Sequence, residues 1–156
     1  MFSNYADEYR PLGGYAALAI AFNAALAAGL AAGMRRDALP ERVGAGDLAV
    51  FALATYKLSR LIAKDEVTSP VRAPFTRHEG DAGSGEISEE PRGRGLRRAV
   101  GELLVCPYCV GQWVAGGFLL GLVHAPRPTR ALGAMWATLG LADFLQLARV
   151  RLEAAS

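Results

Sequence analysis

The chain has 156 residues, of which 52% are hydrophobic, and 17 basic against 15 acidic residues give a formal net charge of +2. Because the charges nearly balance, no global positive field points to a nucleic-acid partner. The 2 cysteines are too few for a disulfide framework. Charged residues concentrate in the middle of the chain, between long apolar stretches, which favours a membrane protein forming one domain over residues 1–156.

Residues 12–33, LGGYAALAIAFNAALAAGLAAG, contain no charged residue. A spanning helix needs about 20 apolar residues, so this segment is long enough to cross a bilayer. A cleaved signal peptide is the alternative, but the preceding MFSNYADEYR carries more acidic than basic residues, and the apolar run is longer than such peptides use. The segment therefore predicts a retained transmembrane helix.

Three shorter apolar segments follow the first one, at residues 45–63, 110–125 and 131–148. Each alone is short for a full span and is also compatible with a buried core helix. Together with the first segment they predict an all-α integral membrane bundle of about four transmembrane helices. In lipid, such a bundle satisfies every backbone polar group within its helices.

The loops between these segments predict the orientation. With four spans, both termini and the loop 64–106 share one side, and that side carries more arginine and lysine than the other. The positive-inside rule then places the loop and both termini in the cytoplasm of a bacterium, with the bundle in its inner membrane.

The loop ends in a predicted amphipathic helix. Apolar residues recur at helical spacing, and basic residues lie on the other face; the apolar residues are Leu96, Ala99, Val100, Leu103 and Leu104. We expect this helix to lie along the headgroups, with Arg97 and Arg98 against anionic lipid. The alternative is a helix packed on other residues of the loop.

An ordered set of motifs between residues 48 and 147 resembles a bacterial membrane-protein family. The motifs are K-L-S-R, K-D, T-S-P-x-R-A-P-F, E-E-P-R-G-x-G, G-E-L-x-x-C-P-x-C and G-x-W. The family is domain of unknown function 1360, and some of its members are labelled sporulation proteins. The resemblance implies a multi-span protein with this loop and the cysteine pair as its signature, and it implies no reaction.

The pair Cys106 and Cys109 admits three interpretations: a structural turn, redox-active thiols, or part of a metal site. Their tetrad C-P-Y-C equals the active-site tetrad of glutaredoxins, in which a helix N-terminus favours the thiolate. The βαβ pattern of those proteins is missing here. Zinc needs four ligands, and His78 is the one further candidate on the same side, so a zinc site would need an acidic residue or a second copy of the chain. No other cofactor is expected.

Asp143 is an acidic residue inside the fourth apolar segment. A carboxylate at mid-membrane costs about 2.5–3.5 kcal/mol on insertion scales, and less near an interface. Lys57 and Arg60 lie at a similar depth on the second segment, and opposite charges at matching depth reduce this cost by pairing. We therefore predict that Asp143 contacts Lys57 or Arg60.

These observations favour a non-enzymatic membrane protein that presents its cytoplasmic loop to a partner or to lipid. The first alternative is a membrane-embedded thiol redox protein or sensor that uses Cys106 and Cys109. The second alternative is a small transporter or channel subunit. Homo-oligomers are compatible with all three functions, and nucleic acid is not an expected partner.

Overall fold

The computed structural model describes residues 8–155. The described chain is mainly helical and contains one β-hairpin. Its elements are α1 Leu12–Arg35, α2 Ala45–Lys64, a 3₁₀ turn Glu66–Thr68, α3 Ser69–Arg72, β1 Thr76–Gly83, β2 Glu86–Pro91, α4 Gly95–Leu104, α5 Pro107–His124 and α6 Pro126–Ala154.

Within residues 8–155, two helices are long and apolar enough to cross a membrane, α1 and α6. Helices α4 and α5, bent by 84° at the break between them, count as a third candidate if they form one span. The predicted four transmembrane helices are therefore not supported. Helix α2 is not a candidate because its charged residues lower its hydropathy; they are Asp47, Lys57, Arg60 and Lys64. Helix α5 has 18 residues, and polar residues among them, such as Gln112 and His124, lower its hydropathy.

The prediction of an all-α fold is wrong in the middle of the chain, where β1 and β2 pair in an antiparallel hairpin. The strands are mostly polar, so no alternating apolar pattern indicated them. The turn explains the hairpin: Gly83, Ser84 and Gly85 all have positive φ, a conformation that glycine adopts at little cost. Ile87 of β2, which is 4% exposed, anchors the hairpin to the rest of the chain.

Helix α2 lies at the centre of the bundle, between α5 and α6. Gly133 and Gly140 let α6 approach α2 closely, since a Cβ at these positions would lie 2.6 Å from Phe51 Cε1 and 3.1 Å from the Leu53 carbonyl oxygen, respectively. Phe51 also stacks against Phe118 of α5, with ring centroids 4.9 Å apart. Small residues on α6 thus provide packing within the chain.

Helix α1 packs on the side of the bundle, against α4 and α5. At its start, Gly14 lies against Ala99 of α4. Near its other end, the Gly29 carbonyl lies 3.0 Å from Nε2 of His124, the last residue of α5. Helices α1 and α5 are therefore parallel neighbours, and α4 lies beside the first turn of α1.

Candidate functional site: a polar module beside the helices

Residues 65–104 form a folded unit, which we call the polar module. Its centre is Arg72, whose side chain is 0% exposed. Arg72 donates from Nε to Glu89 Oε2 at 2.6 Å and from Nη1 to the Ile62 carbonyl at 2.7 Å. It also donates to Thr68 Oγ1 at 2.5 Å and to the Asp65 carbonyl at 3.0 Å. One guanidinium thus joins the end of α2, the 3₁₀ turn and the hairpin.

Further contacts close the module around this centre. The Phe75 carbonyl accepts from the Arg92 amide at 2.9 Å, and Thr76, which is buried, donates from Oγ1 to the Arg72 carbonyl. Helix α4 comes so close that a Cβ at Gly101 would lie 2.6 Å from the Phe75 carbonyl oxygen. Among residues 8–155, no buried side-chain nitrogen or oxygen lacks a hydrogen-bond partner. The segment predicted as a loop between the second and third apolar segments is therefore an ordered unit.

Two ion pairs connect the second half of α2 to its surroundings. Lys57 Nζ lies 2.9 Å from Asp143 Oδ2 on α6. Arg60 does not contact Asp143; instead it makes a bidentate pair with Glu86 of the hairpin, with Nη2 2.6 and 2.7 Å from the two carboxylate oxygens. Both pairs line a cavity of about 550 Å³ between α2, α6 and the hairpin turn. Lys57 and Arg60 of α2 are thus each paired with a carboxylate on a neighbouring element.

The cysteines sit at the start of α5, before its apolar run. Cys106 is the N-cap residue, and its Sγ accepts from the Cys109 amide at 3.4 Å. Both thiols are free, and Cys109 donates from Sγ to Cys106 Sγ at 2.8 Å. Desolvation, followed by the hydrogen bond that Cys109 donates to Cys106, raises the pKa of the Cys109 thiol to about 11. A thiol with such a pKa is protonated at neutral pH and is a weak nucleophile.

His78 lies on the exposed face of β1, opposite Glu89 in the hairpin register. Over residues 8–155, no three histidine, cysteine, aspartate or glutamate side chains gather into a group that would hold a metal ion. In one copy of the chain, the structure therefore does not bring His78 and the two cysteines together as ligands.

The basic residues of α4 contact the protein's own backbone. Arg97 donates twice to the Pro74 carbonyl, and Arg98 donates to the Pro91 carbonyl and to Glu102. Ala99 is buried, whereas Leu96 is 55% exposed. Helix α4 is thus packed on the loop and on α1, and part of its surface remains open.

Sequence reasoning did not identify Arg72, Glu89 or Glu86 as site residues. Arg72 and Glu89 belong to the motifs T-S-P-x-R-A-P-F and E-E-P-R-G-x-G, but nothing in their letters separates a buried arginine from a solvated one. The one available signal was the rigid, proline-containing context of Arg72, which is unusual for a flexible loop.

Comparisons with known proteins point to the same part of the chain. The model of a family described as "Protein of unknown function (DUF1360)" matches residues 50–149. A relative, "Sporulation protein YjcA" of Bacillus subtilis (strain 168), is 33% identical over 102 residues, which cover 64% of this chain and 86% of the relative. No solved structure matches. The matched region contains the whole polar module and the cysteine pair, and it leaves out α1.

Proposed function

The chain belongs to the DUF1360 family, and from this premise we propose that it is a non-enzymatic protein of the bacterial inner membrane. In this proposal it holds the polar module at the cytoplasmic surface as a docking site for a partner protein. The relative is named a sporulation protein, and we extend this to the chain by proposing a role in sporulation or a closely related event.

The observation that carries the proposal is the fully buried Arg72, which donates hydrogen bonds to the end of α2, the 3₁₀ turn and the hairpin. A solvated linker between helices does not need a buried guanidinium, because burial of a charge is costly unless it is paired. The network holds the hairpin rigidly, and its outer side chains are exposed. They are Arg77, His78, Glu79, Asp81 and Glu90. A rigid charged surface of this kind suits recognition of a folded partner.

The arrangement of the helices supports one orientation. Helix α1 starts beside α4, and the second half of α6 lies beside the hairpin, where Gln146 and Val150 line the same cavity as Gly85. Both ends of the described chain therefore lie near the polar module. The excess of arginine and lysine on this side favours the cytoplasm, and Arg97 and Arg98 add positive charge that attracts anionic headgroups.

A thiol redox protein is the second candidate, and the 2.8 Å contact between the free Cys106 and Cys109 thiols favours it. It ranks second because the raised pKa of Cys109 leaves little of its reactive thiolate form at neutral pH. A transporter or channel subunit ranks third, since the charged residues Lys57, Arg60 and Asp143 are engaged in ion pairs.

Orientation is tested by single-cysteine labelling in a variant with both native cysteines changed to serine. Asp81→Cys on the hairpin and Arg36→Cys beyond α1 are both at exposed positions. An impermeant maleimide should label Asp81→Cys only in inverted vesicles and Arg36→Cys only in spheroplasts. Labelling of Asp81→Cys in spheroplasts would contradict the cytoplasmic module.

Partner binding is tested in living cells with a photo-crosslinking amino acid at position 81 and, as a control, at position 36. We expect a discrete protein adduct at position 81 alone, and we expect Arg72→Met to abolish it. Equal adducts at both positions, or an adduct unaffected by Arg72→Met, would contradict a docking role of the folded module.

A further inference from the structure

A second cavity, of about 680 Å³, lies between the start of α1 and the bend that joins α4 to α5. It is separate from the hairpin surface and from the cavity beside Lys57. One part of its wall is apolar and the other is polar and charged. A molecule that fills this cavity would need the same division into an apolar and a polar part.

The apolar part is formed by Leu18 and Phe22 of α1, Leu103 of α4 and Trp113 of α5. The rings of Phe22 and Trp113 meet edge to face, with centroids 5.3 Å apart. Only 6% of the most apolar stretch of α1 is buried inside the chain. The cavity thus adjoins a helix whose surface faces lipid, and its aromatic wall suits an acyl chain.

The polar part contains Arg10, Arg98, Tyr15 and Glu102. The Glu102 carboxylate is already engaged, since Arg98 Nε donates to one oxygen at 3.0 Å and the Tyr15 hydroxyl donates to the other. Within residues 8–155, Arg10 pairs with Glu8 at 3.3 Å and also lies close to the Tyr15 hydroxyl; the Arg10 and Glu8 side chains are 48% and 83% exposed. Such an exposed pair contributes little, so Arg10 can exchange Glu8 for a bound anion.

We propose that this cavity binds one phospholipid with an anionic headgroup. The headgroup phosphate lies at Arg10, which offers several N–H donors to phosphate oxygens. One acyl chain follows Phe22 and Trp113. Tyr15 and Trp113 then lie at the level of the headgroups, where amphipathic aromatic residues are commonly found. The inference shares the membrane location of the proposed function but does not depend on a partner protein.

Native mass spectrometry of the full chain, purified in detergent and titrated with dioleoylphosphatidylglycerol or dioleoylphosphatidylcholine, tests this site. We expect tighter retention of the anionic lipid. Arg10→Gln should weaken that retention about tenfold, as expected for one lost charge-assisted hydrogen bond, and should abolish the headgroup preference. Arg10→Lys should keep part of it, and Trp113→Ala should weaken binding of both lipids.

The control is Arg36→Gln, an exposed basic residue at the opposite end of α1. It should leave lipid retention unchanged, and the melting temperature of each variant shows whether it is folded. Equal retention of both lipids by the unaltered protein would overturn the anionic preference. Equal losses in Arg10→Gln and Arg36→Gln would overturn the site, because they would show attraction by charge alone.

Discussion

Only 6% of the most apolar stretch of α1 is buried within the chain, whereas Arg72, a charged residue in the polar module, is 0% exposed. The usual relation between polarity and burial in a water-soluble protein is thus reversed. The proposed membrane location would remove the contrast, because lipid would cover α1 as an apolar core does. The module cannot gain stability from lipid in this way, so hydrogen bonds and ion pairs must hold it together.

The largest effect on stability is expected for Arg72→Met, which removes the buried charge at the centre of the module. We expect the free energy of unfolding to fall by about 3–5 kcal/mol, because Glu89 would remain buried without its partner. Denaturant unfolding of the detergent-solubilised protein, followed by circular dichroism, measures this loss. Arg77→Met, at an exposed arginine of β1, should change stability by less than about 0.5 kcal/mol. Equal effects would show that the Arg72 network does not stabilise the module.

Substitutions at two glycines compare a closely packed position in the module with an open position on a helix surface. At Gly101 a Cβ would lie 2.6 Å from the Phe75 carbonyl oxygen, whereas at Gly117 it would meet nothing within 4 Å. Gly101→Ala should therefore destabilise the protein by about 1–3 kcal/mol. Gly117→Ala should stabilise it by up to about 1 kcal/mol, through helix propensity. Melting temperatures that shift in the same direction would contradict this difference.

The ion pairs on α2 connect the two regions and can be tested by double-mutant cycles. Lys57→Gln and Asp143→Asn should show a coupling of about 1 kcal/mol, because the two charges are 2.9 Å apart and partly buried. Arg60→Gln and Asp143→Asn should be additive within about 0.5 kcal/mol, since Arg60 binds Glu86. Strong coupling of Arg60 to Asp143 would show that Arg60, and not Lys57, is the partner of Asp143.

The smallest effects are expected at the cysteines. Cys106→Ser keeps an N-cap acceptor, so the unfolding free energy should change by less than about 1 kcal/mol. In this variant, maleimide labelling of Cys109 should be slow at pH 7 and should rise about tenfold per pH unit, because desolvation, the largest cause of the raised thiol pKa, remains. Fast labelling at pH 7 would instead favour the redox function.

The positions of the apolar helices along the chain follow from the sequence alone. Residues 12–33 correspond to α1, Leu12–Arg35, and the amphipathic stripe from Leu96 to Leu104 corresponds to α4. The family membership was also readable from the motifs. These features are local: an uncharged run and a helical spacing are properties of neighbouring residues, and no distant partner changes them.

Three features became visible only in the tertiary structure: the hairpin, the burial of Arg72 and the pairing of Arg60 with Glu86. Each of these outcomes depends on residues far apart in the chain. A charged side chain can be solvated or buried with equal local sequence, and its state depends on whether folding brings an acceptor within hydrogen-bonding distance.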